Sequence, residues 1–305
     1  MKYINIGNSE LSGSEIALGC MRIVGNSEKE VAKLITTAFE AGINFFDHAD
    51  IYGKGESERI FGQAMKTVDV PREKMIIQTK CGIGGGMYNF SKEYILEAVE
   101  GSLKRLDIDY VDTLLLHRPD TLMEPEEVAE AFSLLAKSGK VKYFGVSNFN
   151  QVQTELLQKY VDQKLIINQL QFSIMHTGMI DSGFNVNMKH APSIDYDGGV
   201  LEYCRLKDIT IQPWSPFQYG FFEGVFLDHP KFPELNIVLD RIAAERDVTN
   251  SAVAIAWILR HPAKMQPILG STNAKRVQEI CKASEVSLTR TEWYEIYKAA
   301  GNKLP

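Results

Sequence analysis

The chain has 305 residues, 45% of them hydrophobic and 24% charged, with a formal net charge of −6. That composition supplies a large core and excludes a disordered chain. No basic block occurs, which argues against nucleic acid or an anionic membrane as the main partner. No apolar run approaches the roughly 18 residues of a membrane helix, and the opening MKYINIGNSEL lacks the apolar stretch of a signal peptide. Cys20, Cys81, Cys204 and Cys281 are far apart with no CxxC spacing. Four reduced thiols in a cytoplasmic protein are expected rather than disulfides or a metal site.

After a polar start, strand-like and helix-like segments alternate. Ile16 to Gly19 is a short apolar run. Residues 27–41 read as a helix, with Ser27 and Glu30 as a capping box, Val31, Leu34, Ile35 and Ala38 on one face, and Gly42 as the stop. A strand at 43–47, a helix at 56–66, a strand at 75–80 and a helix at 92–106 follow. Then come strand 111–116, helix 125–138, strand 141–146, helix 151–160, strand 166–170, helix 199–206 and strand 209–214. Helical runs at 234–246 and 251–260 precede a strand at 267–269, and the last helices lie near 274–284 and 290–300. Residues 171–198 show no clear periodicity, and 215–233 are rich in aromatics, Gly and Pro. Both read as long loops that shape access to a site.

Eight short apolar strands separated by helices imply a parallel sheet buried on both faces. They close naturally as a single-domain (β/α)8 TIM barrel spanning 1–305; a doubly wound open sheet is the alternative. The barrel is preferred because Asp47, Lys80, His117, Asn148, Gln169, Trp214 and Ser271 all fall at strand ends, which only a barrel gathers into one ring.

Within GINFFDHADIYGKGESERIFG, Asp47 and Tyr52 lie five residues apart just after a strand. A phenol is a poor acid near neutral pH, with a pKa of roughly 10. A cation beside it would lower that value, and a carboxylate would hold the cation. Lys80 closes MIIQTK, and His117 closes VDTLLLH. Each has an ordinary reading: a loop tyrosine, a structural salt bridge, a core histidine. Together they form a proton-handling set, with His117 as a neutral donor to a carbonyl. Asn148 and Gln169 read either as ordinary strand-end polar groups or as amides able to bind another amide, such as a nicotinamide carboxamide; Trp214 either packs the core or offers a flat aromatic face at the rim. Gly270-Ser271-Thr272, before a helix carrying Lys275 and Arg276, is a candidate anion site; a solvated basic face is an equal alternative. CGIGGG at 81–86 lacks the register of a dinucleotide loop, and no metal-ligand spacing occurs.

These motifs together resemble the aldo-keto reductase superfamily over nearly the whole chain. GINFFDHADIYGKGESERIFG matches its first signature, IIQTK supplies the lysine, and TLLLH the histidine. YFGVSNF carries the Ser-Asn pair, INQLQ the glutamine, and PILGSTNAKRVQE the adenosine segment. The resemblance implies a (β/α)8 barrel binding NADPH or NADP+ without a Rossmann domain. It implies Tyr52 as proton donor, Asp47 and Lys80 as the groups that tune it, and His117 aligning a small carbonyl substrate. It places Ser147, Asn148 and Gln169 on the carboxamide, Trp214 against the nicotinamide, and Ser215, Pro216 and Phe217 near the pyrophosphate. Ser271, Thr272 and Arg276 would meet the 2′-phosphate and Glu279 the adenine; Met21 and Arg22 match a loop that touches the cofactor.

His48 stands where many members carry a small hydroxyl residue, and Ile280 where an asparagine often binds adenine. His48 and WSPF resemble the bacterial branch of general oxidoreductases. The chain ends soon after its last helix, which implies an open pocket. A monomer is the default for that branch. The expected function is NADPH-dependent reduction of aldehydes or ketones, with an NADP(H)-binding redox-sensing regulatory subunit as the alternative. A metal-dependent hydrolase is a third reading, and it lacks a ligand cluster.

Overall fold

The computed structural model describes residues 1–305. Its central strands are β1 Ala17–Gly19, β2 Phe45–Asp47, β3 Ile76–Cys81, β4 Val111–Leu116, β5 Val141–Ser147, β6 Leu165–Gln171, β7 Thr210–Trp214 and β8 Ile268–Leu269. From β1 to β7 each strand pairs in parallel with the next, and β8 pairs in parallel with β1. The last seam is joined where Gln266 N donates to Ile211 O at 3.0 Å. The fold is the expected (β/α)8 barrel, not an open sheet.

The helices are α1 Glu28–Glu40, α2 Glu56–Met65, α3 Lys92–Leu106, α4 Pro125–Lys137, α5 Gln151–Gln158, α6 Gly178–Phe184, α7 Val200–Leu206, α8 Pro233–Glu245, α9 Asn250–Leu259, α10 Ala274–Cys281 and α11 Arg290–Ala299. Most expected boundaries hold to within one or two residues. The run near 274–284 is an exception, ending as α10 and then a short 3-10 turn, Lys282–Glu285. The Ser27–Glu30 capping box at α1 is formed in both directions. Helix α6 lies inside the stretch that showed no periodicity. Its sequence, GMIDSGF, has two glycines and buries only Met179 and Ile180, too few apolar positions to trace a helical stripe.

The polar start is also structured. Tyr3–Asn5 pairs with Ser12–Ser14 as a hairpin that closes the N-terminal end of the barrel. Ile6 joins Phe45, Ile76, Leu115, Ile166, Ile167 and Ile268 in a separate buried cluster there. Gly7 makes the turn possible: its φ is 57°, and a Cβ would fall 2.4 Å from Ile166 O. Two smaller hairpins, Ile83–Gly84 with Met87–Tyr88 and Gln218–Tyr219 with Gly224–Val225, rise from the opposite face. No helix is long and apolar enough to cross a membrane.

Above the apolar plug the barrel interior turns polar. Gln266 Nε2 donates to Ser14 O at 2.6 Å, and Gln212 Nε2 to Gln266 Oε1 at 2.8 Å. Gln78 Nε2 then reaches both Gln212 Oε1, at 2.8 Å, and Asp47 Oδ1, at 2.6 Å. This chain of buried amides runs from the N-terminal hairpin to the carboxylate at the top of β2. Every link is a satisfied donor, which is what allows so polar a core to form.

Candidate active site

The ends of β2, β3 and β4 bring Asp47, Lys80 and His117 together. Tyr52 joins them from a tight turn, Tyr52–Gly55, in which Gly53, Lys54 and Gly55 all have positive φ. The two glycines reverse the chain within one turn and let α2 begin directly behind the tyrosine.

Lys80 is fully buried and all three of its donors are used. Its Nζ meets Asp47 Oδ2 at 2.8 Å, His48 O at 2.7 Å and Tyr52 Oη at 3.0 Å. Asp47 Oδ1 accepts from Gln78 and, at 3.0 Å, from Gln169 Nε2. Burial opposes the ammonium, but Asp47 and Tyr52 outweigh it and hold the Lys80 pKa above its ordinary value. For Tyr52 the balance differs from the sequence expectation. Burial is the largest influence and raises the phenol; Lys80 lowers it, yet the net pKa stays above 10.0. The lysine therefore limits a rise rather than producing a fall.

The His117 ring meets Tyr52 edge-on, with centroids 5.9 Å apart. Burial, then Lys80, then Arg118 push its pKa down to about 2, so the imidazole is neutral. Its Nδ1 is buried without a partner. A lone pair suffers less there than an unpaired N–H, which leaves the proton on Nε2, toward the cleft.

That cleft holds about 480 Å³. Its wall includes Asp47, Tyr52, His117, Ser147, Asn148 and Gln169 on one side, and Trp214, Ser215, Pro216 and Phe217 on another. Met21, Arg22, Gly270, Ser271 and Arg276 are the other residues anticipated from sequence that line it. Lys80 sits behind this wall. Thr272, Lys275 and Glu279 lie outside it, with the Lys275 side chain 84% exposed and 3.8 Å from Glu279.

Two backbone positions shape the rim. Asn148 and Ser215 have φ of 61° and 54°, a left-handed geometry that turns the chain sharply at the ends of β5 and β7. The Asn148 amide is largely committed: Oδ1 accepts from Trp214 Nε1 at 3.1 Å, and Nδ2 donates to Ser147 Oγ at 2.8 Å. Gln169 uses its Nε2 on Asp47 and Gln212, while its Oε1 has no partner in the protein. Asn273 caps α10 by accepting from Arg276 N at 3.0 Å, and the Arg276 guanidinium makes no ion pair.

Among the remaining cleft residues, the sequence reading marks Ile280 as a departure at an adenine-contact position but misses Gln218, Phe222, Asp228, Asn250 and Ile268. Gln218, Phe222 and Val225 come from the Gln218–Val225 hairpin, and Asn250 and Ser251 from the start of α9, where no strand periodicity leads into them. No group of three or more His, Cys, Asp or Glu side chains converges as a metal site.

The Aldo/keto reductase family model matches residues 15–300. The chain belongs to the aldo/keto reductase family. It is 38% identical over 286 residues to the uncharacterized oxidoreductase YcsN of Bacillus subtilis, covering 90% of this chain and 89% of YcsN. A 6-dehydroglucose reductase of Agrobacterium fabrum is 34% identical, with 97% of each chain covered. The oxidoreductase YdhF of Escherichia coli is 33% identical over 94% of this chain and 93% of its own. The barrel superposes on a crystallised thermostable aldo-keto reductase, in complex with the inhibitor epalrestat, with a TM-score of 0.79. That structure is 24% identical and covers 98% of this chain and 100% of its own. This aldo/keto reductase therefore sits in the bacterial oxidoreductase branch and is an oxidoreductase of carbonyl groups.

Proposed function

We propose that this aldo/keto reductase reduces aldehydes or ketones to alcohols with NADPH, and that Tyr52 is the proton donor. The observation that carries the reading is the bonding of Lys80. Its ammonium donates to Tyr52 Oη, so the tyrosine accepts from the lysine and its own O–H is free to point into the cleft. A carbonyl oxygen lying between Tyr52 Oη and His117 Nε2 would receive the proton from the first and a neutral hydrogen bond from the second. Lys80, itself held by Asp47, then fixes the tyrosine in place and limits the rise of its pKa.

The cleft fits a nicotinamide cofactor. Gln169 Oε1, unpartnered in a buried side chain, is an acceptor awaiting an amide N–H. It would hold the carboxamide together with Ser147 and Asn148, with Trp214 flanking the ring. Ser215, Pro216 and Phe217 would border the pyrophosphate. Gly270, Ser271, Thr272 and Arg276 would meet a 2′-phosphate, with Lys275 and Glu279 near the adenosine end. When bound, the nicotinamide supplies the hydride that carbonyl reduction consumes.

The test is NADPH oxidation, followed at the nicotinamide absorbance, with aromatic aldehydes, diketones and sugar aldehydes. The relatives named 6-dehydroglucose reductase make sugar-derived aldehydes a reasonable part of that panel. Turnover with any class supports the proposal. Tight NADPH binding with no turnover across the panel would move the reading to a regulatory NADP(H)-binding protein.

A further inference from the structure

Three arginines line the cleft, Arg22, Arg118 and Arg276. Arg276 stands at the start of α10 and Arg22 in the loop after β1, both assigned above to the cofactor. Arg118 follows His117 directly and leaves the same strand end. Five arginines elsewhere, Arg59, Arg72, Arg105, Arg241 and Arg246, each meet a carboxylate, while Arg205, Arg260 and Arg290 meet none but lie outside the cleft wall. Arg118 meets none and makes no side-chain hydrogen bond within the protein.

The acids of the cleft wall do not neutralise it. Asp47 is committed to Lys80, Gln78 and Gln169. Asp228 accepts from the Asn250 side chain at 2.9 Å, at the base of the hairpin. Arg118 instead faces aromatic surface. Its guanidinium carbon lies 5.8 Å from the centre of the Trp214 ring, and Phe222 stacks on the same ring with centroids 6.0 Å apart and planes 21° apart. Aromatic walls exclude water and strengthen a charge pair made beside them. The reactive end of the cleft thus holds an unpaired, half-buried cation next to the histidine that would orient the carbonyl. Its field reaches that histidine, contributing to the neutral imidazole after burial and Lys80.

We propose that Arg118 binds an oxyanion of the substrate, so that the preferred substrate is a carbonyl compound carrying a carboxylate a few bonds from the carbonyl carbon. This rests on the carbonyl-reducing reading of the same cleft. A planar guanidinium takes a carboxylate through two parallel N–H···O bonds. With His117 and Tyr52 on the carbonyl oxygen, such a contact would fix the substrate at both ends.

The test compares kcat/KM for 3-carboxybenzaldehyde against benzaldehyde, and for succinic semialdehyde against butanal, in the wild type, Arg118→Met and Arg118→Lys. A charge-assisted contact of this kind should favour the carboxylate about 10- to 100-fold in the wild type. Arg118→Met should abolish that ratio, and Arg118→Lys should keep part of it. A ratio near one in the wild type, or one that survives Arg118→Met, overturns the proposal. Calorimetric titration of the NADP+-loaded protein with benzoate separates this inference from catalysis. If no carbonyl is turned over, the reductase reading fails, yet benzoate binding lost in Arg118→Met still supports the oxyanion site. Benzoate binding that Arg118→Met leaves intact overturns it. So does a weakening of NADPH affinity in Arg118→Met as large as the loss of carboxylate preference, which would place Arg118 on a cofactor phosphate.

Discussion

Lys80 on β3 donates to the Tyr52 hydroxyl across 3.0 Å while its other two hydrogens are held by Asp47 and His48 O. The ammonium cannot rotate away without stripping Asp47 Oδ2 of its donor and leaving a buried carbonyl unpaired, each loss costing about 1–3 kcal/mol. Tyr52 is therefore presented to the cleft in one orientation.

Lys80→Met keeps the bulk of that side chain and removes its charge. Lys80 is the main influence opposing burial of the phenol, so the Tyr52 pKa should climb further. Reduction needs the protonated phenol, whereas alcohol oxidation needs the phenolate as base. The pH-dependent rise of oxidation should move to higher pH, and both directions should slow by about 10²- to 10⁴-fold. Rate profiles against pH in both directions check this; an unshifted oxidation limb contradicts it.

Arg276→Ala should weaken NADPH far more than NADH. Only NADPH carries the 2′-phosphate, and a charge-assisted bond to it is worth about 1.5–3 kcal/mol, roughly 10- to 100-fold in affinity. Cofactor fluorescence titration reads both constants, and equal losses would remove Arg276 from the phosphate site.

A buried histidine and a half-buried one make stability depend on pH. Burial, then Lys80, holds His48 down to about 3 and His117 to about 2. In the unfolded chain each titrates near 6.5. Below that pH the unfolded state binds more protons, so stability falls as pH drops. Asp50 works oppositely: burial, then Glu58, lifts its carboxyl to about 7. Between its ordinary value of 3.8 and about 7 the folded state holds the extra proton, and stability falls as pH rises. Between about pH 4 and 6.5, His48 takes up close to one proton on unfolding, and His261, held down to about 4 chiefly by burial, adds to that uptake. The His48 share of the slope should be about 1.4 kcal/mol per pH unit. His48→Gln should flatten it. Urea midpoints across this range measure the slope, and an unaltered slope in His48→Gln refutes the assignment.

Gln78→Leu breaks the amide chain at its centre. It strips a donor from Asp47 Oδ1 and from Gln212 Oε1, and the acceptor from Thr113 Oγ1 at 3.0 Å. With three buried polar groups affected, destabilisation should be at least about 2 kcal/mol. A urea midpoint within error of the wild type would show that the chain contributes little.

Much of this was legible in the sequence because the barrel strands are short, apolar and closed by chemically distinctive residues. Asp47, Lys80 and His117 stand where a parallel strand ends, and register alone brings them together. Gln78, Gln212 and Gln266 were not read as a network. Each is a single polar residue in or beside an apolar strand, and only barrel closure makes the three neighbours. The hairpin carrying Phe221 and Phe222 was hidden for another reason: its two-residue strands are too short to show alternation, and its place over Trp214 is set by tertiary contact. The net rise in the Tyr52 pKa depends on burial, which residue types alone do not report.

The measurement that bears most directly on the proposed mechanism is NADPH oxidation by wild type and Tyr52→Phe with the same aldehyde, alongside NADPH affinity for both. Loss of about 10²- to 10⁴-fold in kcat with NADPH affinity retained is the expected result for a proton donor. A Tyr52→Phe enzyme that keeps most of its rate would contradict it and assign the proton to another group.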